Sequence, residues 1–248
     1  MRRARLGVAL AAALVAPVLA DSAAGTAALR RPDGQPDISG YWSLSALRFN
    51  ANLANEGEDK VPYTAAGRQA FLGHDKRLDP DNNCNPPGWP RMAHSPFPMK
   101  IVQEKNTVII LYELMRIWRQ IDLDRTQHHA DVEDTFFGDS IGHWEGDTLV
   151  AETTGLTDRT WLDSAGHQHT AAMKVVERIR RTGPDTLDYE IQVHDPEFYA
   201  RPWVHRGTLR PLRAEPGLPA LLEYFCSDNN LDLQHLQAAP AQAPTQRP

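Results

Sequence analysis

Cysteine is nearly absent, since Cys84 and Cys226 are the only two in 248 residues. Neither lies in a Cys-x-x-Cys pair, so a zinc-thiolate or dithiol redox motif has no support, and no compact Cys/His signature marks a catalytic thiol. Long apolar runs are missing after the N-terminus, and the run there, Leu6 to Val18, is too short for a transmembrane helix. The chain has no phosphate-cradling glycine loop and no dinucleotide fingerprint. Ser140 lies between Gly138 and Gly142 but lacks the strand-to-helix context of a hydrolase elbow. The formal net charge is -6 with both signs mixed along the chain. No basic tract points to nucleic acid, and no polybasic amphipathic stretch points to a membrane surface. No repeat of solenoid period and no internal linker interrupts the sequence, so it reads as a single domain.

What is present begins with an export signal. Arg2, Arg3 and Arg5 precede the apolar run, and Ala16 to Ala20 ends in small residues at a spacing suited to signal peptidase. Residues 1–20 are therefore expected to be a signal peptide and the protein to be periplasmic or secreted. Residues 21–36, rich in Ala, Gly and Pro, read as a flexible leader, 37–235 as one β-rich domain, and 236–248 as a disordered tail. In an oxidising compartment, two lone cysteines far apart in sequence most simply bond to each other.

One helix is expected after Pro62, with Thr64 as its cap, Ala65 to Leu72 as its body and Gly73 at its end. The stretch 79–98 is dense in Pro, Gly and Asn and reads as an irregular loop carrying Cys84. Strands are expected at 99–103, 107–113, 116–122, 140–144, 148–153, 173–181, 187–194, 203–209 and 221–226, most of them joined by short turns. Leu187, Tyr189, Ile191 and Val193 alternate with polar residues, the pattern of a strand with one wet face. A meander of this size must hide its edges, which predicts an antiparallel sheet closed as a lipocalin-like barrel, with a β-sandwich as the alternative.

Five of the ten histidines fall between Arg119 and His169, among several carboxylates. Histidine titrates near neutrality, and a carboxylate on its far nitrogen fixes the tautomer and raises basicity. His128 and His169 are the acid and base candidates, Asp139 and Asp163 their orienting carboxylates, and Arg119 an anion-stabilising group. Trp144 and Trp161 are candidate apolar walls for a substrate. Glu177 shares parity with Val175 and Ile179, which turns it inward as a further contact. No cofactor is called for; a metal held by His128, His167 and His169 is the alternative, since residues two apart share a face of an extended segment. A solvated His-rich loop would carry the same residues without any site, and Asp139, Glu145 and Asp147 have a plain reading as turn residues.

The run Gly138-Asp139-Ser140-Ile141-Gly142-His143-Trp144-Glu145-Gly146-Asp147-Thr148-Leu149-Val150 resembles a motif shared by a large group of exported bacterial proteins of unassigned function. Thr160 to Asp163 with Gly166, His167 and His169, Asp195-Pro196 with Pro202-Trp203, the opening Pro36 to Trp42, and the Cys84 to Arg91 loop fit the same group. The resemblance covers most of the mature chain. It implies export but brings no activity with it. The group usually reads Asp-Gly-Arg-x-His-Pro at 124–129, whereas here Arg125 follows Asp124 directly and His129 stands where proline is usual.

The function expected from these residues is an exported enzyme acting on a small, largely apolar molecule by His/Asp proton transfer, of lyase, isomerase or cyclase type. A non-catalytic binding protein for a hydrophobic ligand and a metal-dependent hydrolase or lyase are the alternatives. The barrel interior discriminates between them: an apolar lining favours carriage, and converging His, Asp and Arg favour chemistry.

Overall fold

The structure, a computed structural model, describes residues 29–44, 52–54, 57–131, 133–213 and 215–227. The expected signal peptide at 1–20 and tail at 236–248 lie outside the described residues. Nine strands follow one another: β1 Gly40–Leu44, β2 Met99–Gln103, β3 Thr107–Tyr112, β4 Trp118–Asp122, β5 Asp139–Glu145, β6 Thr148–Thr154, β7 Lys174–Gly183, β8 Thr186–His194 and β9 Trp203–Pro211. The one α-helix, α1, spans Ala65–Gly73, and the Thr64 hydroxyl accepts the Gly67 N–H as its cap. Among the described residues no helix is long and apolar enough to cross a membrane.

The strands close in sequence order into a barrel, with β1 pairing β9 through Trp42 and Pro211 as well as Leu44 and Leu209. Closure rules out the two-sheet sandwich. It also corrects the expectation of a wholly antiparallel meander. Going once round a closed ring of nine strands, direction cannot alternate at every junction, so an odd number of junctions must be parallel. That junction is β4–β5, which pairs through Asp122 and Ile141 alone. The long connection between β4 and β5 makes it possible, because it carries the chain back along the barrel before β5 begins. Gly142 permits the crossing: a Cβ there would meet Ile121 Cγ2 at 2.9 Å.

Two further corrections concern the strand set. Residues 221–226 form no strand; an isolated bridge joins Tyr224 to Leu114, which lies just after β3 and outside the sheet. Pairing of β9 with β1 leaves them no free edge there. Their place is taken by β1, whose inward Trp42 is 2% exposed and donates its indole N–H to Ile38 O.

The registers sort the connections by end. Short turns at 104–106, 146–147 and 184–185 close one end, where residues 29–36 also form a turn. Arg30 pairs with Asp147 at 2.5 Å there, and Arg31 donates to the Gln103 carbonyl. The opposite end receives the long segments before β2, between β6 and β7, and between β8 and β9. Within the first of these, residues 87–93 are all buried, and Trp89, Met92 and Ala93 belong to the same apolar core as the strands. This segment plugs the barrel. Arg91 anchors it with Nη1 and Nη2 on Asp79 at 2.6 and 2.9 Å. Cys84, at the foot of the plug, is disulfide-bonded to Cys226, 142 residues away.

Candidate ligand-binding site

In β4, Trp118 and Gln120 face out while Arg119 and Ile121 face in. A guanidinium inside a barrel must find partners, because an isolated buried charge is prohibitively costly. Arg119 finds most of its partners on β5, β6 and β7. Its Nη2 pairs with Glu177 and donates to Thr153 Oγ1 at 2.9 Å, and its Nε donates to Ser140 Oγ at 3.2 Å. Tyr189 donates its hydroxyl to the other Glu177 oxygen at 2.9 Å. The guanidinium lies over the Trp89 ring of the plug, 3.8 Å from its centre. Burial works against the Arg119 charge, but Glu177 outweighs it and holds the pKa above its ordinary value. Burial, then Glu177, pushes the Tyr189 phenol well up. The buried Tyr112 phenol also lies against the guanidinium, but Arg119 Nη1 is buried and makes no hydrogen bond of good geometry.

Nη1 belongs to a residue that lines an opening. On the long-connection side of Asp122 and Ile141, β4 and β5 are unpaired. The cleft between them measures about 320 Å³ and is lined by Trp118, Arg119, Gln120, Asp122, Phe137, Gly138, Asp139 and Ser140. Asp139 forms its rim and is heavily engaged. Arg125 Nη2 grips it at 2.7 and 2.8 Å, His128 Nδ1 lies at 3.0 Å, and His129 contributes its backbone N–H at 3.0 Å and Nδ1 at 3.1 Å. Burial raises the Asp139 pKa, yet the bonds from His129, His128 and Arg125 prevail and hold it below the usual carboxylate value. His128 Nε2 meets Glu152 at 3.3 Å, so both of its ring nitrogens face carboxylates.

The remaining candidate residues lie elsewhere. Asp163, fully buried, accepts from His167 Nδ1 at 2.6 Å and from the backbone of Leu53, Ala165, Gly166 and His167. Its imidazole partner is thus His167, not His169. His167 in turn stacks on Phe71 of α1 at 4.6 Å and meets Trp203 of β9 edge-on at 4.9 Å, which docks the long connections together. His169 donates Nδ1–H to Thr170 O at 3.1 Å and accepts from Thr160 Oγ1 at 2.8 Å through Nε2. Burial lowers its pKa. Trp161 packs against His74, and Trp144 packs at the short-turn end beside Leu149, away from the cleft. His128, His167 and His169 do not share a centre, because their nitrogens point at separate partners. Among the described residues no three His, Cys, Asp or Glu side chains form a group able to hold a metal.

Two interior histidines escaped the sequence reading. His94 ends the 3-10 turn Arg91–His94 behind the plug, and His205 points inward from β9. His205 had a legible signal, since it shares parity with Trp203 and Leu209, both of which face the core. His94 had none.

No protein-family model matches the chain, and no curated protein does. Among solved structures it is similar to the fluorescent protein UnaG, at 11% identity over 70% of this chain and 96% of that one, with a TM-score of 0.33. A point mutant of UnaG gives 10% identity over 71% and 97% of the two chains, with a TM-score of 0.32. Neither likeness bears on what this chain binds.

Proposed function

We propose that the protein binds a small, largely apolar molecule carrying an acceptor oxygen, such as a carboxylate, which enters between β4 and β5 and is received by Arg119. The observation that carries this reading is the buried Nη1, without a hydrogen bond of good geometry, on a residue lining the cleft where β4 and β5 part. A lost hydrogen bond to a buried donor costs roughly 1–3 kcal/mol, so a ligand oxygen supplying it gains that amount. Trp118 and Phe137 offer apolar walls at the mouth.

Binding is favoured over turnover by the state of the histidines. His128 has both nitrogens on carboxylates, and His169 spends one nitrogen as donor and the other as acceptor. Neither presents a free lone pair to the cleft, as a general base must.

The test is displacement of 1-anilinonaphthalene-8-sulfonate by decanoate, followed by fluorescence. Replacing the whole ion pair, Arg119→Met with Glu177→Met, avoids stranding a buried carboxylate and is close to neutral for folding in comparable cases. The double variant loses the Tyr189 hydroxyl's acceptor and should melt somewhat lower but remain folded at room temperature, and it should bind the probe at least about tenfold more weakly, the worth of one charge-assisted hydrogen bond. Unchanged probe affinity in the folded double variant would sink the proposal. Export is part of the same reading and is supported by the disulfide. N-terminal sequencing of the protein from the periplasm or medium should begin at Asp21; a retained Met1 would contradict it.

A further inference from the structure

The backbone of β4 has one edge spent and one edge open. Its antiparallel ladder with β3 is bracketed by two bonds, Tyr112 N–H to Ile117 O and Leu123 N–H to Asn106 O, both 2.8 Å. In such a ladder every second residue turns its N–H and C=O to the same neighbour. Ile117, Arg119, Ile121 and Leu123 therefore face β3, and Trp118, Gln120 and Asp122 turn their backbone groups toward β5. Asp122 meets Ile141 there, and beyond that pair β4 and β5 part. The N–H and C=O of Trp118 and Gln120 thus look into the cleft that both residues line. An open row of strand donors and acceptors is a template for a further strand. Beside this row lie the Arg119 guanidinium and the Trp118 ring, the latter 59% exposed.

We propose that the molecule received by Arg119 is a short apolar peptide with a free carboxyl terminus, which adds as a strand to the open edge of β4. This rests on the ligand-binding reading above and names the class of ligand. Main-chain bonds to Trp118 and Gln120 give affinity, and side-chain contacts give preference. A fatty acid engages the guanidinium and the apolar walls alone, whereas a peptide engages these and the strand edge together. The open stretch from Trp118 to Ile121 is about 13 Å long, the span of about four extended residues. Side chains of an added strand alternate between faces, so those on the outer face rest against Trp118. At the chain end the carboxylate is released from the ladder and turns inward to Arg119. An amino terminus finds no equivalent partner, because the rim carboxylate of Asp139 is already taken by Arg125 and His129.

The experiment uses the oxidised mature protein with acetyl-Ala-Val-Val-Leu as the free acid, the same peptide as its C-terminal amide, and decanoate as reference. The free acid should displace 1-anilinonaphthalene-8-sulfonate, and the amide should bind at least about tenfold more weakly. Amide hydrogen exchange at Trp118 and Gln120 should slow at least about tenfold with the free acid bound, and stay unchanged with decanoate. Gln120→Pro removes a donor that β3 does not use, at an edge where proline is tolerated. It should lower the ratio of peptide to decanoate affinity about fivefold. Decanoate binding without peptide binding would overturn the peptide assignment and leave the ligand-binding reading intact, while binding of neither would remove both. Equal affinity of the amide would overturn the role of the carboxylate, and peptide binding without protection of Trp118 and Gln120 would overturn strand addition. If Gln120→Pro does not fold, exchange in the wild-type protein decides.

Discussion

His94 and His205, whose pKa values burial lowers, make folding depend on pH. In the unfolded chain both imidazoles protonate below about 6.5, whereas in the barrel they resist protonation down to about 4 and about 3. Between those limits the unfolded state binds more protons, so stability falls as pH drops. Going from pH 7 to pH 5 should remove about 2–4 kcal/mol from the unfolding free energy measured in urea. The lowered carboxylates, Asp139 and Asp163, add their own loss only at lower pH, below the ordinary value of 3.8. Phenylalanine at 205 should flatten the pH 5–7 slope by about half; an unchanged slope would show that His205 titrates freely. Arg119 teaches a related lesson. Its inward parity was readable, but its partners on β5, β6 and β7 come from positions 21 to 58 residues away.

At the scale of elements, α1 shows a local preference reversed by packing. Gly67 in the helix interior would ordinarily gain about 1 kcal/mol on becoming alanine. Here the added Cβ would sit 2.1 Å from the Phe198 carbonyl oxygen, in the connection between β8 and β9. Gly67→Ala should therefore destabilise the protein by about 1–3 kcal/mol in a denaturant melt, and a gain would mean that α1 does not dock as described. The β4–β5 junction makes the same point for the sheet. Its strands were anticipated individually, but the need for a parallel junction somewhere follows from the odd number of strands in the ring, which no local pattern reveals. The opening beside Arg119 exists because this junction pairs through one residue on each side.

For the whole molecule, the disulfide spans the barrel's history in sequence, joining the plug to the segment after β9 across 142 residues. A loop of that length should cost the unfolded chain about 4–5 kcal/mol of conformational freedom in the chain-entropy account. Cys84→Ser with Cys226→Ser should lower the unfolding free energy by a comparable amount while the β-sheet circular dichroism persists at low temperature. A loss below about 1 kcal/mol would show that the plug stays seated without its tether. The plug also changes how the barrel is to be pictured. Trp89 and Met92 fill space that an open-mouthed carrier would leave for its cargo, which moves the proposed route for a ligand to the side.

The sequence by itself determined most of the elements and several of their faces: the alternation in β8, the Thr64 cap and the inward turn of Glu177. These depend on neighbours within a few residues, where side-chain direction repeats every two or about 3.6 positions. Only the tertiary structure decided that residues 221–226 lose their place to β1, that β4 and β5 run parallel, that residues 87–93 enter the barrel, and that Asp163 takes His167 for its partner. Each of these is settled by closure of the ring and by which buried polar group reaches a partner first, and both are properties of contacts between segments far apart along the chain.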